Sequence, residues 1–184
     1  MIASKDRSDW FGASDASSIM CKWTSKTFEQ WWMQKLGINT KSFFTSATQA
    51  GTYWEHRILE SIGVVDFDRQ ILLPEYRLRV NLDGELNNRI KECKTYKFVN
   101  GYKPTKAHVM QVRVQMWVTG EQADIVAYGL VEKDYENYFR SIERERLQEF
   151  PIEQDQKFIK IFLHRLQYLA DCLTKGKFPK ESEL

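Results

Sequence analysis

LRVNLDGELNNRIKECKTYK, residues 78–97, alternates apolar and polar side chains as far as a pair of asparagines and then starts again. From Glu75 to Leu86 the apolar set is Tyr76, Leu78, Val80 and Leu82, and the polar set is Arg77, Arg79, Asn81 and Asp83. A period of two predicts a half-buried strand. Asn87 and Asn88 tolerate the positive φ that a tight hairpin requires, so a second strand is expected from Arg89 to Thr95. A turn centred on the two asparagines sets Asp83 opposite Glu92, where facing Cβ atoms lie ~4.5–5.5 Å apart. Like charges so placed repel unless something positive sits between them. Lys94, two residues beyond Glu92, points to the same face. Two carboxylates and an ammonium around one point suit a hard cation such as Mg²⁺, which takes oxygen ligands and retains waters, one of which can attack a phosphodiester. A hairpin with a solvated charged face carries the same string, so the surrounding segments decide between the two.

Working outward, Ser46 with Gln49 three residues on predicts a capped helix to Gly63, on which Glu55 shares a face with Ile58, Leu59 and Ile62. A carboxylate on that face is partly buried, unlike an ordinary surface glutamate. Segment 25–36, SKTFEQWWMQKL, predicts a helix with Phe28, Trp31, Trp32 and Leu36 turned inward. A helix is expected from about Thr105 to Thr119, closed by Gly120, then an apolar strand from Asp124 to Val131 and a further strand around Tyr138 to Ile142. The last element, roughly Ile152 to Leu173, repeats Phe158, Phe162, Leu166, Leu169 and Leu173 at helical spacing. Helices, strands, helix, strands, helix make a mixed α/β or α+β domain, a central mixed sheet flanked by helices.

The chain has 184 residues, enough for one hydrophobic core and few for two, so residues 1–184 are read as one domain. A net charge of +2 is too small for a protein that coats nucleic acid along its whole surface. Cys21, Cys93 and Cys172 stand far apart with no CxxC spacing, which excludes a zinc ribbon or iron–sulfur cluster and predicts free thiols in a reducing cytoplasm. No apolar run reaches the ~20 residues that span a bilayer, so no membrane partner is expected.

The stretch LRVNLDGEL followed by IKECKTYK resembles the PD-(D/E)xK core, here LD-x8-ECK, and the flanking segments resemble the λ-exonuclease (YqaJ-like) branch of that superfamily. GTYWEHRILE, residues 51–60, is similar to its helical G-x-x-x-E segment and carries Glu55. MQVRVQMWVTG, residues 110–120, is similar to its glutamine helix and carries Gln111; Gln115, four residues on, has only a weaker claim. GASDASSIM, residues 12–20, is similar to its segment with an active-site serine, which matches Ser14. The likeness runs in order over roughly residues 7–145, with residues 22–45 and the C-terminal helix aligning poorly. Leu82 stands where the family has proline, and the gap from Asp83 to Glu92 is short, leaving room only for a tight hairpin.

The resemblance implies a restriction-endonuclease-like core and a metal-dependent deoxyribonuclease. Asp83 would bridge two Mg²⁺ ions, for which Mn²⁺ can substitute; Glu92 and the Cys93 main-chain carbonyl would complete one site, and Glu55 would support the ions. Lys94 would act on the attacking water, Gln111 would take the glutamine position, and Arg7 with Ser14 would hold a 5′ phosphate. Ser14 read from the residues alone is equally a helix cap. The family further implies 5′-to-3′ digestion of linear double-stranded DNA ends, a homo-oligomer in the form of a trimeric ring, a single-strand annealing protein as partner, and a phage or prophage origin in a bacterial cytoplasm. Two alternatives stay open: a structure-specific or restriction-like endonuclease with the same core, and a nuclease fold used for DNA binding without cleavage.

Overall fold

The computed structural model of the protein describes residues 9–38 and 45–184. Arg7 lies outside the described residues. Among them, β1 (Phe11–Gly12), β2 (Asp66–Leu73), β3 (Leu78–Leu86), β4 (Arg89–Lys97), β5 (Gln122–Leu130) and β6 (Leu147–Ile152) form one mixed sheet. Helices α1 (Ala16–Met20), α2 (Lys26–Lys35), α3 (Ser46–Ser61), α4 (Lys106–Thr119), α5 (Glu132–Glu136) and α6 (Gln156–Thr174) flank it. Two cores show that both faces are covered. Ala123 and Ile125 of β5 join Val112, Phe162 and Leu166 in one, while Val126, Tyr128 and Leu130 join Trp54, Ile58 and Leu59 of α3 in the other. The mixed α/β reading of the sequence therefore holds.

The hairpin forms as its asparagines predict. Asn87 and Asn88 adopt φ of 53° and 58°, and the ladder pairs Leu86 with Arg89, Glu85 with Ile90 and Gly84 with Lys91. This is the expected register, but the ladder stops short of Asp83 and Glu92. β2 occupies one edge of β3 from Glu85 down to Leu78, so its other edge is shared: β4 pairs there at 84–86 and β1 at 78–79. Between these two partners the sheet is split, and residues 80–83 of β3 face β4 across the opening.

The pleat also slips at this level. Leu78, Val80 and Leu82 belong to the first core, yet a Cβ on Gly84 would meet Val64 and Leu59 of the second. On β2 the same change separates Ile71 and Leu73 from Phe67, with Asp68 at φ 58° between them. Strict alternation therefore does not describe where Asp83 points.

Other elements depart from the sequence reading for identifiable reasons. Strand β3 begins at Leu78 rather than Glu75 because Pro74–Tyr76 make a 3-10 turn and Arg77 closes it at φ 48°. Helix α3 is capped one residue earlier than expected, by a Thr45–Thr48 box. Residues 138–142 form no strand, and the last strand is β6. It contains Pro151, which an edge strand accommodates because one side of its backbone needs no donor. No described helix is long and apolar enough to cross a membrane.

Candidate active site

The split in the sheet opens into a cleft of about 260 Å³ lined by Ser14, Glu55, Asp83, Glu92, Lys94 and Gln111, with Trp10, Asp15, Lys35, Arg79 and Asn81 beside them. Each implied site residue among the described ones, apart from the Cys93 carbonyl, thus contributes to one wall or another. Asp83 uses its Oδ2 to accept the Cys93 main-chain N–H at 2.9 Å, spanning the strands where the ladder has ended. Glu92, 1% exposed, receives a side-chain amide on each oxygen: Gln111 Nε2 on Oε1 and Gln115 Nε2 on Oε2, both at 2.5 Å. Lys94 Nζ donates to the same Glu92 Oε1. The Cys93 side chain belongs to the second core, on the far side of β4 from these amides, which leaves only its main chain near the carboxylates.

Glu55 arrives from the opposite layer, and α3 is brought close by a missing side chain. A Cβ on Gly51 would stand 3.3 Å from Thr95 Oγ1 of β4, and Glu55 follows one turn later on the same face. The helix is fixed behind that contact. Trp54 Nε1 donates to the Asp134 carbonyl at 3.1 Å, and the Arg57 guanidinium donates to the carbonyls of Tyr138 and Arg140. Those two carbonyls belong to the segment the sequence suggested as a strand, which here serves as a clamp on α3.

Ser14 sits exposed in a 3-10 turn, Ala13–Asp15, rather than capping a helix. Its neighbour Asp15 organises the turn. Asp15 Oδ2 accepts the Gly12 N–H at 2.7 Å and Lys35 Nζ at 2.6 Å, while Oδ1 accepts Trp31 Nε1 at 2.9 Å. Lys35, 2% exposed, also reaches the Trp10 carbonyl at 2.8 Å. This buried pair was not legible in the sequence, where nothing in the spacing links Asp15 to Lys35.

The carboxylates burden one another. Burial first, and then the charges of Glu92 and Glu55, push Asp83 well above the ordinary carboxylate range; Glu55 is raised by burial and by Glu92. Burial pulls Lys94 down, but Glu92 and Asp83 outweigh it and hold the ammonium above the usual lysine range. Three carboxylates with all-oxygen donors, two of which, Asp83 and Glu55, are disfavoured as anions by burial and by neighbouring charge, fit a hard divalent cation. A second group adjoins them: ligand atoms of Glu55, His56 and Asp68 lie within 4.8 Å of one another, and His56 Nε2 is 3.3 Å from Asp68 Oδ2. The spacing of the sequence points to neither His56 nor Asp68, because β2 brings Asp68 level with Asp83 only through a long-range pairing.

The arrangement is a mixed sheet split at an acidic hairpin, with a carboxylate entering from one helical layer and an amide from the other. Solved structures share the fold. The alkaline exonuclease LHK-Exo from Laribacter hongkongensis superposes with a TM-score of 0.69 at 18% identity, over 92% of this chain and 90% of that one. LHK-Exo in complex with dAMP gives the same TM-score and identity over 91% and 89%. A phage-related exonuclease from Haemophilus somnus 129PT gives a TM-score of 0.62 at 14% identity, over 90% and 95%. No family model and no curated protein matches the chain by sequence.

Proposed function

We propose that the protein is a metal-dependent deoxyribonuclease, and within that class an exonuclease that digests linear double-stranded DNA from 5′ to 3′ using Mg²⁺. The observation that carries this reading is the convergence of Asp83, Glu92, Lys94, Glu55 and Gln111 on one cleft, with Ser14 at its rim. The structural likeness to alkaline and phage-related exonucleases supports it. One of those neighbours holds dAMP, which has the chemical form of a nucleotide released by such digestion.

Asp83, Glu92, Glu55 and the Cys93 carbonyl would hold Mg²⁺, two ions in the full reading, with Mn²⁺ as a substitute. A bound ion would supply Lewis acidity at the phosphate and an acidified water. Gln111 fixes the Glu92 carboxylate so that its charge faces the cleft. Lys94, held as an ammonium in this arrangement, orients the attacking water and offsets charge that develops on the phosphate rather than deprotonating that water. Ser14 offers a hydroxyl to a terminal phosphate, with Arg7 as its companion. A trimeric ring and a single-strand annealing partner belong to the same reading, as does a place in phage-type recombination.

The test is digestion of end-labelled linear duplex with Mg²⁺, comparing 5′-phosphate with 5′-hydroxyl ends and the parent with Ser14→Ala and Arg7→Ala. Loss of the preference for 5′-phosphate in both variants is the expected result. Cutting of a covalently closed circle would replace the exonuclease with an endonuclease, and binding of duplex without cleavage in any divalent metal would remove the enzyme altogether.

A further inference from the structure

We infer that Gln115 is a positioning residue that, paired with Gln111, orients Glu92 for a divalent cation and fixes the width of the split in the sheet. This deepens the nuclease reading above and rests on it for Glu92 as a cation-binding carboxylate. Gln115 is fully buried, at 0% exposure, one helical turn beyond Gln111 on α4. Its Nε2 donates to Glu92 Oε2 at 2.5 Å and to the Asn81 carbonyl at 3.2 Å. Asn81 is on β3 and Glu92 on β4, so a single amide nitrogen ties the two strands together where they have no ladder. Gln111 holds the other Glu92 oxygen at 2.5 Å. With a donor on each oxygen, the carboxylate cannot rotate about its last bond without breaking both contacts.

The orientation of the Gln115 amide is forced, because the Asn81 carbonyl beside it can only accept. Its nitrogen must face Glu92, and Gln115 Oε1 is then left buried with no donor among the described residues. An unpartnered buried amide oxygen opposes stability. Leucine or methionine, close to it in volume, would fill the same space without that cost. Packing therefore does not account for a glutamine here; the two bonds made by its nitrogen do.

The experiment uses the full chain with Gln115→Leu and Gln115→Met. Mn²⁺ affinity is measured by titration, Tm in chelator by calorimetry, and kcat and KM on linear duplex across a range of Mg²⁺. The expected result is a Tm equal to or above the parent's with Mn²⁺ bound ~10–100-fold more weakly, the usual effect of removing a group that orients a metal ligand. The fall in kcat should shrink as Mg²⁺ rises, while KM for DNA holds. Unchanged Mn²⁺ affinity in both variants overturns the inference, as does a parent that binds no Mn²⁺, or an affinity that falls only as far as a lowered Tm explains. A parent that loses Mn²⁺ on substitution yet cleaves no DNA leaves Gln115 in its role and removes the nuclease reading instead.

Discussion

Asp83 accepts the Cys93 N–H at 2.9 Å one step past the last ladder pair of the hairpin, Gly84 with Lys91. A side-chain oxygen thus takes over where main-chain pairing ends. The bond keeps β4 from drifting further from β3, and it carries Glu92, the residue before Cys93, beside Asp83. It engages one Asp83 oxygen, and in the proposed reading the other is the one that would take a cation. The same opening that weakens the sheet makes room for the site.

Replacing Asp83 with asparagine should raise the stability of the metal-free protein while abolishing cleavage. Burial and the charges of Glu92 and Glu55 raise the Asp83 carboxyl, so its ionised form is disfavoured in the fold. Stability from a raised carboxyl is present below its ordinary value of ~4 and is lost as pH rises through the higher folded value. At neutral pH in chelator the parent therefore carries a penalty that Asp83→Asn relieves. At ~2–4 °C per kcal/mol for a chain of this size, calorimetry should show Tm rising by a few degrees. Added Mg²⁺ should then stabilise the parent more than the variant. A lower Tm for Asp83→Asn in chelator would mean that its bond to Cys93 outweighs the repulsion.

Lys94→Ala should lower kcat by ~10²–10³, the scale for losing one charged donor in a reaction centre, with little change in duplex binding. Its ammonium is held above the usual lysine range by Glu92 and Asp83 against the pull of burial. A raised lysine contributes stability that is fully present below its ordinary value and lost only above the folded one, so no loss is expected near neutrality. The rate between about pH 6 and pH 9 should accordingly keep the parent's profile at a reduced level in Lys94→Ala. If the variant instead loses its dependence on pH, Lys94 is the base.

Much of the fold was legible in the sequence. The asparagine pair set the hairpin register, the capping pattern and closing glycines set α3 and α4, and apolar spacing set α6. Strand β2 was hidden because none of its side chains is fully buried and Asp68 breaks its alternation with a left-handed φ. Strand β6 was hidden by Pro151, a breaker anywhere but at an edge. The run Tyr138–Ile142 misled because its residues are apolar for another reason: Tyr138 stacks on Tyr53 with centroids 4.6 Å apart, and Ile142 packs against the second core. The Asp15–Lys35 pair, twenty residues apart on different elements, leaves no periodic trace at all. Residue types that act locally can be read from spacing, whereas a buried charge becomes visible only with its distant partner.

Away from the cleft, Asp124→Asn should cost stability without touching chemistry. Asp124 receives the Arg89 guanidinium and Lys91 Nζ, the latter at 2.9 Å, and Arg89 first, then Lys91, lower its carboxyl against the effect of burial. A lowered carboxyl contributes stability present above its ordinary ~4 and lost as pH falls through the lower folded value. Leaving Lys91 half-partnered in the interior should cost on the order of 3 kcal/mol. Tm should fall at neutral pH, the variant should lose less than the parent on acidification below about pH 4, and kcat at a temperature where both are folded should match.

Gly51→Ala tests whether the approach of α3 to β4 sets the position of Glu55. The added Cβ would lie 3.3 Å from Thr95 Oγ1, closer than ordinary contact, so helix or strand must give by a few tenths of an ångström. In a helix the change from glycine to alanine by itself favours folding by ~1 kcal/mol. Tm is therefore expected to change little, while displacement of Glu55 weakens Mg²⁺ binding and lowers kcat at limiting metal. Thr95→Ala removes the opposing oxygen and should restore metal affinity when combined with Gly51→Ala, giving a coupling of ~0.5–3 kcal/mol between the two sites. Purely additive effects in that double-mutant cycle would show that the contact does not govern the site.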